Sequence, residues 1–363
     1  MKRTLPAKAC ALLCYLMLFF STQVFAADTL PMATGTFWQL GAARLGQPQW
    51  TDAGLAAEVA AVKQAGMDTI IIHYNAHWNA AAGKYETFVL GSSFPLFAGL
   101  EGRNPLRAIF RAAEKEGVKV IIGDFLVPTD LRYTEAKKAL EIWTSPAAQT
   151  FRRQLIEEFK DCPSFSAYYL ANEPNQYRIT SEADRKLWLS STRKVARFIK
   201  ELKPDLKLIH SIGLYAQWHP DANGVLKPSP PSREYLDSFW RPWVQQIPEI
   251  DIWVLIDGIG TSMSVLKHTD MAQQWGKELV REAGRKYWVD VENAVMNSRG
   301  YHAFSMATLA DSLQVAAKHA DKIVLFEHLN YMSANSSKDA SKQLYRDYLE
   351  YREKILRDTA TPK

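Results

Sequence analysis

The segment SAYYLANEPNQY, residues 166–177, is an apolar, aromatic run that ends in a carboxylate. Its first half has the length and composition of a buried strand, and Pro174 stops the run directly after Asn172 and Glu173. Parallel α/β barrels place functional side chains at the carboxyl ends of their strands. A strand that ends on a glutamate therefore predicts such a barrel, provided that the rest of the chain repeats the unit.

The rest of the chain does repeat the unit. Apolar runs alternate with helical patterns, and the eight predicted strands lie at residues 35–41, 67–75, 118–126, 164–174, 206–213, 250–260, 286–295 and 322–333. The alternation, with no linker and no internal repeat, predicts a (β/α)8 TIM barrel, a single α/β domain over residues 27–363. A doubly wound sheet is the alternative, but no glycine-rich phosphate turn follows the first strand. Residues 215–232 are predicted to be a long proline-rich surface loop, and residues 336–357 a charged closing helix.

Residues 1–26 have the pattern of a signal peptide. Three basic residues precede the apolar run at residues 9–20, and small residues at Val24 and Ala26 favour cleavage after Ala26. An uncleaved anchor is the alternative, but the run is shorter than the ~20 residues that a spanning helix needs. We therefore expect a periplasmic or secreted protein with no stable membrane anchor after cleavage.

Removal of this segment lowers the formal charge from +5 to +2 and leaves Cys162 as the one cysteine. The balanced charge argues against a nucleic-acid partner, and one cysteine excludes an intramolecular disulfide or a cysteine metal cluster. No cofactor is expected. The phosphate-loop pattern and the Gly-x-Ser-x-Gly nucleophile pattern are both absent from the sequence. His73 and His77 are four residues apart, but no third ligand with a recognisable pattern follows, so no metal site is predicted.

The polar residues that end the apolar runs are the candidate site. Glu173 ends the fourth predicted strand and Glu292 the seventh, so their carboxyls can meet across the barrel mouth. Glycoside hydrolysis needs two such carboxyls, one to protonate the leaving oxygen and one to act at the anomeric carbon. A lone strand-end glutamate is more often a helix cap or an ion-pair partner, and that alternative stays open. The predicted substrate-binding residues are Trp38, Gln39, His73, Tyr74, Asp124, Asn172, Asp257, Asn293, Glu327, His328 and Tyr331.

Aromatic side chains near the predicted mouth are candidates for stacking on sugar rings. Tryptophans in or near top-face loops and helix ends are Trp38, Trp78, Trp143, Trp218, Trp240 and Trp243. Four further tryptophans lie inside helix or strand runs and are predicted to be core: Trp188, Trp253, Trp275 and Trp288.

The segments YYLANEP and VDVEN resemble the acid/base and nucleophile strands of glycoside hydrolase clan A. Together with GTFWQL, GVKVIIGDF, DIWVLIDGIG and IVLFEHLNYMS, they resemble the bacterial barrels grouped as domain of unknown function 4434. The resemblance implies Glu173 as acid/base, Glu292 as nucleophile, and Asn172 as a hydrogen-bond partner of the sugar hydroxyl beside the anomeric carbon. It departs from the broad clan at Asp257 and at Glu327-His328, where many clan members carry other residues.

The sequence thus favours an exported glycoside hydrolase, with a retaining paired-glutamate mechanism, acting on an extracytoplasmic polysaccharide or oligosaccharide. The alternative is a non-catalytic carbohydrate-binding barrel whose glutamates bond sugar hydroxyls.

Overall fold

Eight parallel strands close into a barrel with helices outside it. The computed structural model describes residues 29–41, 51–79, 83–89, 91–97, 100, 102–128, 135–174, 179, 181–213, 217–220, 226–229, 232–297 and 300–360. The predicted signal peptide and its cleavage point lie outside these residues. Within the described residues, no helix is long and apolar enough to cross a membrane.

The strands are β1 (Gly35–Trp38), β2 (Thr69–Ile72), β3 (Ala76–Asn79), β4 (Lys84–Thr87), β5 (Lys119–Gly123), β6 (Phe125–Leu126), β7 (Phe165–Leu170), β8 (Lys207–Gly213), β9 (Gln217–Pro220), β10 (Leu226–Ser229), β11 (Ile252–Ile256), β12 (Lys286–Glu292), β13 (Ala294–Asn297), β14 (Gly300–Ala303) and β15 (Lys322–Phe326). The barrel order is β1-β2-β5-β7-β8-β11-β12-β15, and β15 returns to β1. All eight predicted strands are therefore present and neighbour one another in chain order.

The helices are α1 (Asp52–Gln64), α2 (Pro105–Glu116), α3 (Ala136–Trp143), α4 (Pro146–Phe159), α5 (Glu182–Leu202), α6 (Arg233–Gln246), α7 (Leu266–Glu282), α8 (Met306–Ala317), α9 (His328–Tyr331) and α10 (Asp339–Ala360). Side-chain oxygens cap several of them at the first turn, for example Ser181 on α5 and Ser305 on α8. Each cap satisfies a backbone N–H that the helix itself leaves unpaired.

Alternation along the strands produces two apolar layers. Phe37, Ile71, Tyr169 and Val254 belong to a small cluster inside the barrel, whereas Trp38, Ile72 and Leu170 belong to the larger layer beneath the helices. Successive strand residues point to opposite faces, so one position along a strand decides between the barrel axis and the helix layer. The four tryptophans predicted to be core are all buried, as expected.

Small sheets extend the upper rim and correct two predictions. The predicted loop at residues 215–232 contains the antiparallel hairpin of β9 and β10. Proline is tolerated there because a two-stranded ribbon consists of edge strands. The predicted eighth strand is too long, since β15 ends at Phe326 and α9 begins at His328. The Glu327 carboxylate caps α9 by accepting a hydrogen bond from the backbone N–H of Asn330 at 3.1 Å.

A buried ion pair joins β5 to the helix layer. Asp124 follows β5 and accepts hydrogen bonds from Arg152 at 2.7 Å, from the Trp143 indole at 2.7 Å and from the Tyr168 hydroxyl at 3.0 Å. Both charged side chains have no exposed surface. The prediction that Asp124 binds substrate is therefore wrong: the side chain points to the helices, and its oxygens bond α3, α4 and β7.

Replacing Arg152 with leucine should destabilise the protein by about 3–5 kcal/mol, because Asp124 would be left as a buried charge without its partner. Chemical denaturation at neutral pH measures this change. Arg153→Leu is the matched control, since Arg153 is exposed on the same helix and its loss should cost no more than about 1 kcal/mol. Equal losses in the two variants would contradict a structural role for the pair.

Candidate active site

The barrel mouth brings Glu173 and Glu292 onto the inner face. Glu292 is the last residue of β12, and Glu173 lies three residues after the end of β7. Tyr169 and Ala171 precede Glu173 at inward positions, and Trp288 occupies the equivalent face of β12. The pairing of neighbouring strands leaves only β8 and β11 between the two strands that carry the glutamates. Both carboxyls therefore lie on the inner face at the barrel mouth.

Glu173 is held at its Oε1 atom. The Tyr169 hydroxyl donates a hydrogen bond to Oε1 and also contacts Ser211 Oγ at 2.8 Å. Tyr169 has a single hydroxyl proton, so Ser211 donates to Tyr169. The His73 Nε2 atom lies 3.6 Å from the same oxygen, and 26% of the Glu173 side chain is exposed. Glu173 is thus held by Tyr169 at this oxygen and is partly exposed to solvent.

Glu292 is more deeply buried and is held by the loop after β11. Its Oε2 accepts hydrogen bonds from the Thr261 backbone N–H at 2.9 Å and the Thr261 hydroxyl at 3.4 Å. Gly260 makes this loop possible, because a Cβ there would lie 1.9 Å from the Ala294 carbonyl oxygen and 3.0 Å from the Glu292 Cβ. The glycine lets the loop pack directly against the glutamate.

Asp257 supports the backbone of Glu292. Its Oδ1 accepts from the Ile259 N–H at 3.1 Å and from the Glu292 N–H at 3.3 Å. The side chain is 2% exposed, so it braces the β11 and β12 ends from beneath. Asp257 therefore occupies a supporting position next to the predicted nucleophile.

Burial dominates the electrostatics of the mouth. It raises the pKa of Glu292 to about 7, against the donors of Thr261 and Gly260, and the charge of Glu173 adds to the increase. Burial, and next the charge of Glu292, hold the pKa of Asp257 well above its usual range. The neutral form of a buried carboxyl is favoured because its charged form loses solvation.

Asp290 is a further carboxyl of the site that the sequence analysis did not single out. It is 3% exposed, and its Oδ1 has no hydrogen-bond partner among the residues that the structure describes. Burial, with the charges of Asp257, Glu292 and Glu173, raises its pKa well above the usual range. The period-two pattern of VDVE contained the signal, since it places Asp290 and Glu292 on the same face.

Two further predicted substrate contacts are wrong. Trp38 and His328 are fully buried on the helix side of the barrel, where their rings stack with centroids 6.2 Å apart. His328 also pairs through Nε2 with the buried carboxylate of Glu58 on α1. The residue before Trp38, Phe37, has the inward position, and alternation therefore turns Trp38 away from the cleft.

Three predicted residues lie beneath the rim and tie strand ends together. Asn172 accepts from the Val127 N–H at 3.0 Å and donates to the Phe125 carbonyl at 2.9 Å. Asn293 donates to the Glu327 carbonyl at 3.1 Å. Glu327 accepts from the Gln39 N–H at 2.7 Å. Each residue is fully buried, and the hydrogen bond from Asn172 to a sugar stays a prediction.

Gln39, His73, Tyr74 and Tyr331 lie at strand ends or on α9, where contact with a bound sugar stays a prediction. Of the candidate stacking tryptophans, Trp143, Trp240 and Trp243 are buried like Trp38, so these cannot stack on a ligand. The Trp218 side chain lies outside the described part of the structure. Among the described residues, no group of three or more His, Cys, Asp and Glu side chains is arranged to hold a metal ion.

The raised pKa of Glu292 predicts a pH-dependent gain in stability for Glu292→Gln. The free energy that favours neutral Glu292 is fully present below the unfolded pKa of 4.5 and is lost as the pH rises to about 7. Glutamine cannot ionise. Between about pH 4.5 and about pH 8, the free energy of unfolding of the variant should therefore increase by up to about 3 kcal/mol relative to that of the wild type. Urea denaturation at both pH values measures this, with Glu201→Gln on the exposed face of α5 as control. A difference that does not change with pH would contradict the raised pKa.

Several solved structures share the fold. A candidate alpha-L-fucosidase from Bacteroides thetaiotaomicron VPI-5482 is 19% identical, with a TM-score of 0.68 over 90% of this chain and 94% of that chain. The endo-beta-1,4-mannanase from Thermotoga petrophila is 12% identical, with a TM-score of 0.54 over 89% of this chain and 77% of that chain. The beta-galactosidase from Marinomonas ef1 is 10% identical, with a TM-score of 0.54 over 88% and 60%. At these identities the likeness shows the TIM-barrel fold found in glycoside hydrolases.

No functionally curated protein matches the chain. The model of the family described as domain of unknown function (DUF4434) matches residues 33–339, which cover all eight barrel strands and both mouth glutamates. The chain therefore belongs to the DUF4434 family.

Proposed function

We propose that the protein is an exported, retaining glycoside hydrolase that acts on an extracytoplasmic polysaccharide or oligosaccharide. The observation that carries the proposal is the placement of Glu173 and Glu292 on the inner face at the ends of β7 and β12. The glycosidase names of the structures with this fold support hydrolysis of an O-glycosyl bond. Export rests on the signal-peptide pattern of residues 1–26.

The first step would transfer the Glu173 proton to the glycosidic oxygen while the bond from that oxygen to the anomeric carbon breaks. The Glu292 carboxylate forms a bond to the same carbon from the opposite face, and a glycosyl-enzyme results. In the second step Glu173, now ionised, takes a proton from water, and the water oxygen displaces Glu292. One water molecule is consumed for each glycosidic bond that is broken.

The environments of the two carboxyls suit these roles differently. Glu173 is partly exposed and hydrogen-bonded by Tyr169, so it can reach a leaving oxygen and then water. Glu292 is buried against the Thr261 donors, which stabilise its charge without competing for the proton of the acid. As positive charge develops on the sugar ring in the transition state, the nearby carboxylate of Glu292 gains an attractive partner.

Glu173→Gln and Glu292→Gln should each reduce hydrolysis at least ~10³-fold, because each removes one of the two chemical groups. Release of reducing ends from a panel of bacterial exopolysaccharides measures the loss, and NMR of the first product shows whether the anomeric configuration is retained. Glu201→Gln controls for loss of an exposed carboxylate. If no polysaccharide is cleaved, but one binds equally to wild type and both variants, the enzyme proposal fails and a carbohydrate-binding barrel remains.

The assignment of Glu292 as nucleophile also predicts the pH profile. A nucleophile must be ionised, so kcat/KM should rise with pH along a limb with an apparent pKa of about 7, the value of buried Glu292. Measurement of kcat/KM between about pH 4 and 9 tests this. A limb that falls through about 7 would instead make Glu292 the general acid and exchange the two roles.

A further inference from the structure

We propose that the sugar bound at the barrel mouth carries a free amino group, and that Asp290 on β12 is the residue that binds this ammonium. The ligand class deepens the proposed function and rests on it: the substrate is a glycan that contains an amino sugar with an unacetylated nitrogen. Asp290 is a carboxyl that the two-step hydrolysis itself leaves without a role.

Asp290 lies on the inner face of β12, between Trp288 and Glu292. Trp288 belongs to the apolar cluster inside the barrel, whereas Val289 belongs to the layer beneath the helices. Side chains two residues apart on a strand point the same way, so the Asp290 carboxyl points to the barrel axis. Its partner in register on β11, Ile256, is partly exposed, so solvent reaches the mouth at this level.

The Asp290 carboxyl is buried without a compensating partner. It is 3% exposed, and among the described residues its Oδ1 atom has no hydrogen-bond partner. Asp257 Oδ2 is buried and unpartnered in the same part of the structure. By contrast, the buried Asp124 is paired with Arg152. An unpaired buried carboxyl is unfavourable, and proteins retain such groups mainly where a ligand or a reaction uses them.

The surroundings of Asp290 are negative. Burial, and next the charges of Asp257, Glu292 and Glu173, raise its pKa well above the usual range. On β7, burial raises the pKa of Tyr169, and the charges of Glu173 and Asp290 add to the increase. Among the described residues, no lysine or arginine forms an ion pair with Asp257, Asp290 or Glu292. Several carboxyls would therefore attract a cation that a ligand brings to Asp290.

The arrangement suits an ammonium group better than a metal ion. Metal sites in proteins need several ligand atoms that converge on one point. Among the described residues, no three His, Cys, Asp or Glu side chains are arranged in this way. Asp257 Oδ1 and Glu292 Oε2 each accept from a separate backbone N–H, which fixes each carboxyl in its own loop position. An ammonium needs only one carboxylate at hydrogen-bond distance, and Asp290 Oδ1 supplies that acceptor.

Binding of an ammonium would also ionise Asp290. The free carboxyl retains its proton at neutral pH because burial and the neighbouring charges disfavour the carboxylate. When the ammonium binds, this proton leaves to the buffer and a carboxylate–ammonium ion pair forms. An N-acetylated sugar cannot do this, because its amide nitrogen is uncharged. Preference for a free amine and release of protons are therefore two consequences of one contact.

The first test uses ligands that contain no glycosidic bond. Wild-type protein is titrated at about pH 7 with glucosamine, galactosamine and mannosamine, and with the N-acetylated sugar and the parent neutral sugar of each. Ligand-observed NMR measures the affinities. At least one amine should bind about tenfold more tightly than both of its neutral forms, since a charge-assisted hydrogen bond is gained. If no amine is preferred, the inference is overturned.

The second test locates the preference. Asp290→Asn keeps the shape of the side chain and removes its charge, so the tenfold preference should be lost while the neutral sugars bind within about twofold of wild type. Calorimetry in two buffers of different protonation enthalpy should show protons released by amine binding to the wild type. Asp290→Asn should release fewer, by up to about one proton per ligand.

Asp311→Asn, exposed on α8, is the matched control and should behave as the wild type in both measurements. An unchanged preference in Asp290→Asn, with a circular dichroism spectrum like that of the wild type, would assign the amine to another group and contradict the role of Asp290. The comparison of amines with neutral sugars needs the wild type alone, so it stays decisive if this variant does not fold.

Failure of the proposed function is separately visible. A wild type that hydrolyses a neutral or fully acetylated polysaccharide, and prefers no amine, refutes the amino-sugar ligand and leaves the hydrolase. A wild type that prefers an amine, but hydrolyses no polysaccharide, leaves the ligand class and refutes the enzyme.

Discussion

Closure of eight parallel strands imposes alternation on every side chain of the barrel, and the site depends on it. Odd and even positions of a strand face either the axis or the helix layer, and the strand register permits no intermediate orientation. Tyr169, Glu173 and Glu292 reach the cleft because they have the inward positions. Trp38 and Asp124 were also predicted to bind substrate, but their side chains lie in the helix layer.

The same constraint concentrates carboxyl groups where water is scarce. Glu292, Asp257 and Asp290 are each less than a tenth exposed, and their pKa values are raised chiefly by burial. Such groups reduce stability whenever they ionise, and proteins retain that cost mainly at functional sites. By contrast, Asp124 is fully compensated by Arg152, as a structural carboxylate should be. A buried carboxylate that is paired with an arginine, such as Asp124, therefore differs from the buried carboxyls of the mouth, whose pKa values are raised.

Membership of the DUF4434 family and a fold shared with glycosidases establish the barrel. The hydrogen-bond donors around the two mouth glutamates describe the site in more detail than the fold does. The Tyr169 hydroxyl donates to Glu173, while a loop that depends on Gly260 places the Thr261 donors at Glu292. Each carboxyl is thus oriented by a defined donor, Tyr169 for Glu173 and Thr261 for Glu292.

The sequence by itself determined the barrel, the order of its strands and the two mouth glutamates. Local periodicity and strand-end position contain that information, since both are properties of neighbouring residues. It did not determine which strand-end residues face the barrel axis, because one residue more or less in a strand reverses the face, as Trp38 shows. It also missed the β9–β10 hairpin, whose pairing compensates for a proline-rich composition. The tertiary structure alone decided the environment of each carboxyl, because burial and donors at Glu292 come from a loop thirty-one residues away in sequence.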